Sequence, residues 1–474
     1  MQPSMFNVRV PLDGSDVFLM NTFTDAQLIV SGDVVEVLDR VGRSDARFSR
    51  EDAEALAALA EHGFIVESRE ADRRGLAEFF GAVRESRDEL RITVLTTLQC
   101  NFACDYCIQG DHGEYNKTAA KMTPDTAARV ADWAEARMDA VAPARFVLTF
   151  FGGEPLLNLP VLFYLSERLW NSSQQRGVRF VINIITNGLL LTPELVDRLL
   201  PFGLSGVKVT LDGDRDTHNR MRPLRGRQGT FDRIIDNVRQ IAGKCRVAVG
   251  GNFDESSVDS VPALLDFLRE QPFADQLVKV SFKPVIRTTA PATRGTFALT
   301  AVDASGKPLN GACMTSAGGG TSACDSCGLV DDKMAFLRDE ASRRGFPTPD
   351  GVHMGPCEIH RRNAHTIGPD GSLYACPGFA GEMQAATGHV DGHDRASRSR
   401  AAERFDALAA WEGCGDCAFI PVCAGGCTVA AHAELGDMNR PNCHKASFEA
   451  GVASLARRAA AEAAVQAAAG QPTV

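Results

Sequence analysis

At 474 residues, with 44% hydrophobic and 23% charged residues, the chain has the make-up of a globular protein too long for one core, so two or three domains are expected. A net charge of -10 without a long basic run gives no sign of a nucleic-acid partner, and neither a signal-peptide core nor a stretch of membrane-spanning length points to a membrane one. These features place the protein in the cytoplasm, where fourteen cysteines read as metal ligands rather than disulfides because thiols there stay reduced.

Residues 1–88 read as a small separate unit. Phe6 to Val10 alternates like a strand, Val17 to Met20 is a second strand, and the run from Ser31 to Leu38 has the N-cap chemistry of a helix start. Another helix follows Ser49, with Leu56, Leu59 and Ala60 on one face, and ends at Gly63 before the strand-like Phe64-Ile65-Val66. Two or three strands combined with these helices look like a winged-helix fold. The unit resembles the PqqD-like recognition element found ahead of enzymes that mature ribosomally made peptides. Such an element takes up a peptide leader as an added strand on a sheet edge. The alternative is a packing module without a ligand.

From residue 89 to 286 strands alternate with helices. Arg91 to Leu95 is a buried-type strand leading into Cys100, Cys104 and Cys107; Thr123-Pro124-Asp125 opens a helix to about Val141. Phe146 to Phe151 is the next strand, ended by Gly152-Gly153-Glu154-Pro155. Strand Phe180 to Ile185 leads to Thr186-Asn187-Gly188 and a helix behind Thr192-Pro193, and strand Val207 to Leu211 leads to Asp212-Gly213 and a helix from Thr230. Strand Arg246 to Gly250, helix Val258 to Glu270 and strand Val278 to Phe282 complete six strands, each after the first reached through a helix. This pattern predicts an α/β fold, a parallel sheet curled into a partial TIM-like (β/α)6 barrel with its chemistry on loops at the strand C-termini. The quoted turns all fall there.

The spacing C-x3-C-x2-C at Cys100, Cys104 and Cys107 supplies three clustered thiolates, one short of the four that close an iron–sulfur cubane, so one iron stays open. A zinc knuckle completed by His112 is the competing reading. With Tyr106 before the last cysteine, the motif resembles that of the radical S-adenosylmethionine (SAM) superfamily. The resemblance implies a [4Fe–4S] cluster whose open iron chelates the amino and carboxylate groups of SAM, and an external one-electron reductant such as a flavodoxin or ferredoxin. Cleavage of SAM then gives methionine and a 5′-deoxyadenosyl radical. Gly152, Gly153 and Glu154 resemble the family's contact to the methionyl amino group, the glycines letting the backbone approach the ligand. Asn187, Thr210 and Asp212, followed by His218 and Arg222, resemble its ribose and carboxylate contacts. Arg222 is the candidate for the carboxylate because a guanidinium matches its geometry.

Residues 287–356 interrupt the pattern with Pro291, Gly295, Gly306 and Gly318-Gly319-Gly320, and carry Cys313, Cys324 and Cys327 before a helix from Asp331 to Arg344. A lid or channel wall and an ordinary surface insertion both fit. Residues 357–474 hold Cys357, Gly371 and Cys376, then Cys414-x2-Cys417-x5-Cys423-x3-Cys427, then Cys443, and end in an alanine-rich helix with Leu455 and Val465. The spacing resembles the SPASM extension of radical SAM enzymes. That resemblance implies two auxiliary [4Fe–4S] clusters, one on Cys414, Cys417, Cys423 and Cys443. The other rests on Cys357, Cys376 and Cys427, with Cys324 or Cys327 as fourth ligand or a position left for substrate; zinc ribbons are the alternative. Cys245 reads as a core thiol.

SPASM enzymes characteristically act on peptides or proteins. The sequence therefore predicts a radical SAM/SPASM enzyme installing a thioether, C–C or C–O crosslink in a ribosomally made precursor. The rivals are sulfatase-maturase-type oxidation of Cys or Ser, peptide epimerisation, small-molecule modification, and a non-enzymatic iron–sulfur electron carrier. In sulfatase maturases an aspartate follows the second SPASM cysteine, whereas Pro377 follows Cys376 here.

Overall fold

The computed structural model describes residues 1–107, 119–285, 325–349, 352, 355–392 and 396–468. His112, Cys313, Cys324 and most of the glycine-rich interruption lie outside the described residues. Cys327 falls within helix Asp325–Arg343, which starts earlier than expected.

The middle of the chain forms the expected parallel strands: β6 (Glu89–Thr97), β7 (Arg145–Gly152), β8 (Arg179–Thr186), β9 (Leu204–Thr210), β10 (Arg246–Phe253) and β11 (Leu277–Pro284). Each neighbouring pair is parallel. Pleating sends alternate side chains to opposite faces. Phe146, Leu148 and Phe150 of β7, Ile182 and Ile184 of β8, and Val207 and Val209 of β9 are thereby buried in one core with Val130, Ala131, Leu165 and Ile234 from the covering helices. Removing one such phenylalanine side chain costs about 3–5 kcal/mol, because the cavity collapses only in part. The opposite parity, including Thr93, Thr149, Asn183, Lys208 and Asn252, lines the inner face. Helix Pro124–Val141 starts as expected: the Thr123 hydroxyl accepts from the Thr126 amide, and proline occupies the first turn.

The sheet is open, in the order β11-β10-β9-β8-β7-β6-β12-β13-β14. Its last three strands were not anticipated. β12 (Ala364–Ile367) pairs in parallel with β6, then β13 (Ser372–Tyr374) and β14 (Gly388–His389) add antiparallel. The boundary drawn at residue 357 therefore cuts through the sheet. The strands are too short for a periodic signal, so β6 as an edge to pair with decides their state.

The front unit contains β2 (Asn7–Pro11), β3 (Val17–Asn21) and β4 (Ala26–Val30) as an antiparallel sheet in that order, and β1 (Gln2–Pro3) pairs with β5 (Ile65–Val66). Helices Gly32–Arg40, Arg50–Glu61 and Arg69–Glu85 complete it. β4 is an addition to the sequence reading. The unit is also not separate. Phe80 stacks on Trp411 at 5.0 Å, Arg73 pairs with Asp416 at 2.8 Å, and Thr22 donates to the Ala418 carbonyl.

One partly enclosed histidine sets a pH dependence. The ring of His365 on β12 stands edge-on to Trp133 at 5.0 Å, its Nε2 is enclosed without a partner among the described residues, and burial together with Arg137 presses its pKa from 6.5 down to about 3. The unfolded chain takes up this proton first as pH falls, so the stabilisation is full above about pH 6.5 and drains away toward pH 3. Denaturant titrations should show about 2 kcal/mol less stability at pH 5 than at pH 7 from this group. His365→Phe should flatten that slope; an unchanged slope would refute the assignment.

Candidate functional site

Three strand-end turns and the cysteine loop meet at one place. Gly152 follows at the end of β7 with φ of 128°, and a Cβ there would lie 2.3 Å from the Thr97 carbonyl oxygen; at Gly153 it would lie 2.2 Å from the Gln99 oxygen. The glycines are thus required by the backbone leading into Cys100, to which Gly153 and Glu154 also donate their amides, at 3.0 Å to Thr97 and 2.9 Å to Gln99. This backbone crowding is a requirement for glycine separate from the approach of a ligand expected from the sequence. Since the clashing atoms are backbone, Gly153→Ala should cost about 3 kcal/mol or more, read by thermal melting.

Glu154 also has a structural task. Its carboxylate is fully buried and accepts from the Thr186 hydroxyl at 2.7 Å, the Asn187 amide at 2.8 Å and the Leu156 amide at 3.1 Å. It fastens the β7 turn to the β8 turn and is engaged by protein donors. Burial raises its pKa against those hydrogen bonds. Asn187 continues the chain of contacts: its Nδ2 donates to Asn101 Oδ1 at 2.7 Å, inside the cysteine loop, and its Oδ1 accepts from the Leu189 amide at 3.0 Å.

Asp212, fully buried, lies beyond β9. Tyr106 of the cysteine loop donates its hydroxyl to Asp212 Oδ2 and accepts from Arg222 Nη1 at 2.6 Å. Arg222 Nη1 also stands 3.4 Å from Asp212 Oδ2, and the Asn252 amide donates to Asp212 Oδ1 at 2.7 Å. Burial, with Asp212 beside it, keeps the Tyr106 phenol protonated. Burial opposes the charge on Arg222, yet its hydrogen bond to Tyr106 and the Asp212 carboxylate hold the guanidinium cationic. The Arg222 side chain is only 11% exposed. Arg222 caps the end of helix Arg215–Met221, and His218 of that helix is enclosed as a neutral ring: its Nδ1 accepts from the Asp212 amide at 3.2 Å, and Nε2 faces the Thr230 hydroxyl at 3.1 Å. His218 thus orients the loop. Thr210, at the end of β9, takes no part in this network. Asn252 carried no motif, and only its place at the end of a strand could have marked it.

Burial pushes the Cys100 thiol up to about 12 and Cys104 up to about 11; the neighbouring thiols add to both shifts, and Arg222 counteracts that of Cys104. Thiols held this way do not ionise alone near neutral pH, whereas a bound metal centre deprotonates a coordinating thiol outright. The Phe102 amide already points at Cys100 Sγ, 3.4 Å away. Arg222 Nε is buried without a partner among the described residues, an orphaned donor suited to an anion beside the loop. The donor set therefore fits a cluster with an anionic ligand next to it.

Seven further cysteines fall into two mutually interacting sets. Cys357, Cys376 and Cys427 form one, with burial pushing Cys376 up to about 12. Cys414, Cys417, Cys423 and Cys443 form the other, with burial pushing Cys423 up to about 12 and Cys414 up to about 11. Among the described residues no three His, Cys, Asp or Glu side chains close around a single ion. A cubane places each thiolate on a different iron, so its ligands stand further apart than those of one zinc. Cys245 is half-buried, near none of these groups. A surface depression of about 540 Å3 lined by Glu135, Tyr164, Arg168 and Arg176 lies on the outer helices, away from the thiols.

Residues 94–254 match the model of the Radical SAM superfamily. This radical SAM segment spans β6 to β10, the cysteine loop and all three strand-end turns. Over 189 residues the chain is 29% identical to the Fe-coproporphyrin III synthase of Methanosarcina barkeri, covering 39% of this chain and 43% of that protein. It is 23% identical over 177 residues to the sporulation killing factor maturation protein SkfB of Bacillus subtilis, covering 37% and 38%. The chain thus spans less than half the length of the curated relatives it matches. The structure of native anSMEcpe with bound AdoMet and Kp18Cys peptide superposes with a TM-score of 0.57 at 14% identity, over 78% of this chain and 98% of that one. That likeness extends the shared fold beyond the radical SAM segment. No helix among the described residues is long and apolar enough to cross a membrane.

Proposed function

We propose that the chain is a radical SAM enzyme that modifies a ribosomally made peptide or protein, installing a thioether, C–C or C–O crosslink. The observation that carries this reading is the convergence of the Cys100, Cys104 and Cys107 loop with Arg222, whose buried Nε lacks a protein partner among the described residues. Cys100, Cys104 and Cys107 would hold the [4Fe–4S] cluster, and Arg222 would face the SAM carboxylate. With cluster and SAM bound, the site supplies a 5′-deoxyadenosyl radical able to abstract hydrogen from an unactivated C–H bond. The chain's own contribution is positional. Glu154 and Asn187 fix two turns relative to the cysteine loop, and Tyr106 with Asp212 sets the guanidinium. Backbone carbonyls of the glycine turn remain for the SAM ammonium, since the Glu154 side chain is occupied.

Cys414, Cys417, Cys423 and Cys443 would carry one auxiliary cluster and Cys357, Cys376 and Cys427 the other, as in SPASM enzymes; an external flavodoxin or ferredoxin would deliver electrons. A peptide substrate is supported by the anSMEcpe structure with a bound Kp18Cys peptide, and a maturation role by the name of SkfB. In the front unit, β4 is the sheet edge on which a PqqD-like element would take a leader strand. The test is incubation of the anaerobically reconstituted protein with SAM and dithionite. Formation of 5′-deoxyadenosine is expected, and its absence from an iron-replete preparation would leave an electron carrier as the better reading.

A further inference from the structure

The face of the sheet opposite its main core carries a cationic row that the proposed SAM site does not use. Lys208 on β9 shares its parity with Ala248 and Gly250 on β10, which in turn pair with Lys279 and Ser281 on β11, while Asn252 pairs with Lys283. Lys208, Lys279 and Lys283 therefore stand on one concave wall. Asn252, paired with Lys283, reaches Tyr106 with its Nδ2 at 3.3 Å, so the row begins one strand away from the SAM site. At its other side Lys283 lies within electrostatic reach of Cys376.

The wall is built to hold the charge inward. A Cβ at Gly250 would come 2.3 Å from Lys208 Cε and 3.1 Å from its Nζ, so the absent side chain is what leaves room for the lysine across β10. Burial first, then Lys283 and Lys279, presses the Lys208 pKa down to about 8. Among the described residues none of the three makes an ion pair or hydrogen bond with a carboxylate. Lys279 and Lys283 are exposed and Lys208 is partly enclosed, so an arriving anion meets three cations with no described carboxylate of the chain competing for them.

We propose that Lys208, Lys279 and Lys283 seat a carboxylate-bearing segment of the substrate, an acidic stretch of the peptide, between the SAM site and the Cys357, Cys376 and Cys427 set. This rests on the reading of the site as a radical SAM centre acting on peptides. The row would set specificity by selecting substrates with Asp or Glu near the reacting position, and would position that segment rather than react with it.

The test measures fluorescence anisotropy of labelled, end-capped hexaglutamate, hexaglutamine and hexalysine with the anaerobically reconstituted full chain, with unlabelled glutarate as competitor. Hexaglutamate should bind in a salt-weakened manner and the other two should not. Lys208→Met and Lys279→Glu should each weaken it by about tenfold or more, while Lys208→Arg should stay within about threefold. Lys279 is exposed, so its substitution does not threaten the fold. Equal binding of hexaglutamate and hexaglutamine, or an unchanged Kd in Lys279→Glu, overturns the proposal. Competition by glutarate as effective as by unlabelled hexaglutamate overturns the peptide segment as the ligand and assigns the row to a small carboxylic acid. Formation of 5′-deoxyadenosine by the wild-type preparation is measured alongside. If it forms and hexaglutamate does not bind, only the lysine row is lost; if it does not form, the radical SAM reading falls whatever the peptides do.

Discussion

Cys104→Ala is expected to bring 5′-deoxyadenosine formation below detection while about two-thirds of the wild-type iron stays bound, because one of three proposed cubanes is lost and the others use different thiols. Cys104 is the most enclosed of the three loop cysteines, and Arg222 acts on it directly. Among the described residues the carboxylates beside the loop are already engaged, Asp212 by Tyr106 and Asn252, and Glu154 by Thr186, Asn187 and Leu156. Iron analysis and anaerobic turnover on the same sample separate the possible outcomes. Persistent SAM cleavage in Cys104→Ala would move the active cluster elsewhere, to one of the two C-terminal sets. Loss of nearly all iron would mean instead that the sets do not load independently.

The second large effect is expected at Arg222. Arg222→Met leaves Asp212, fully buried, without the cation that faces it, and removing one partner of such a pair costs about 3–5 kcal/mol. Tyr106 loses its donor in the same step, so the cysteine loop loosens as well. Arg222→Lys keeps the charge but not the planar fork. It should recover most of the stability, yet little of the SAM affinity, because one nitrogen cannot stand both where Nη1 meets Tyr106 and where Nε would face a carboxylate. Denaturant melts give the first quantity, and equilibrium dialysis with labelled SAM gives the second. If Arg222→Lys binds SAM as tightly as the wild type, the orphaned Nε is not the carboxylate contact. In that case the guanidinium serves only to pin Tyr106 and Asp212.

These two experiments probe different layers of the same site. The cysteine substitution asks which thiols carry the chemistry. The arginine substitution asks whether the packing around them is arranged for a ligand. The Gly153→Ala change asks a prior question, whether the loop can hold its path at all with a side chain behind it.

Much of the molecule is legible without coordinates, and for local reasons. Alternation of buried residues marks the six parallel strands, capping threonines with following prolines mark helix starts, and three cysteines within eight residues mark a metal loop. These signals depend on neighbours in the chain, so the chain alone carries them. What Glu154 does is different: its partners lie 32 and 33 positions away on the next strand's turn, and only the parallel order of β7 and β8 brings them to its carboxylate. The same holds for Asn252, 146 residues from Tyr106, and for the front unit's grip on Trp411 and Asp416. Strands β12 to β14 exist because β6 offers an edge, and the lysines form one wall because strand register gives them one parity. Spacing in the sequence thus determined which groups this protein has for its chemistry. Strand order and register decided which of them meet, since buried polar groups must find partners across the sheet that no local pattern encodes.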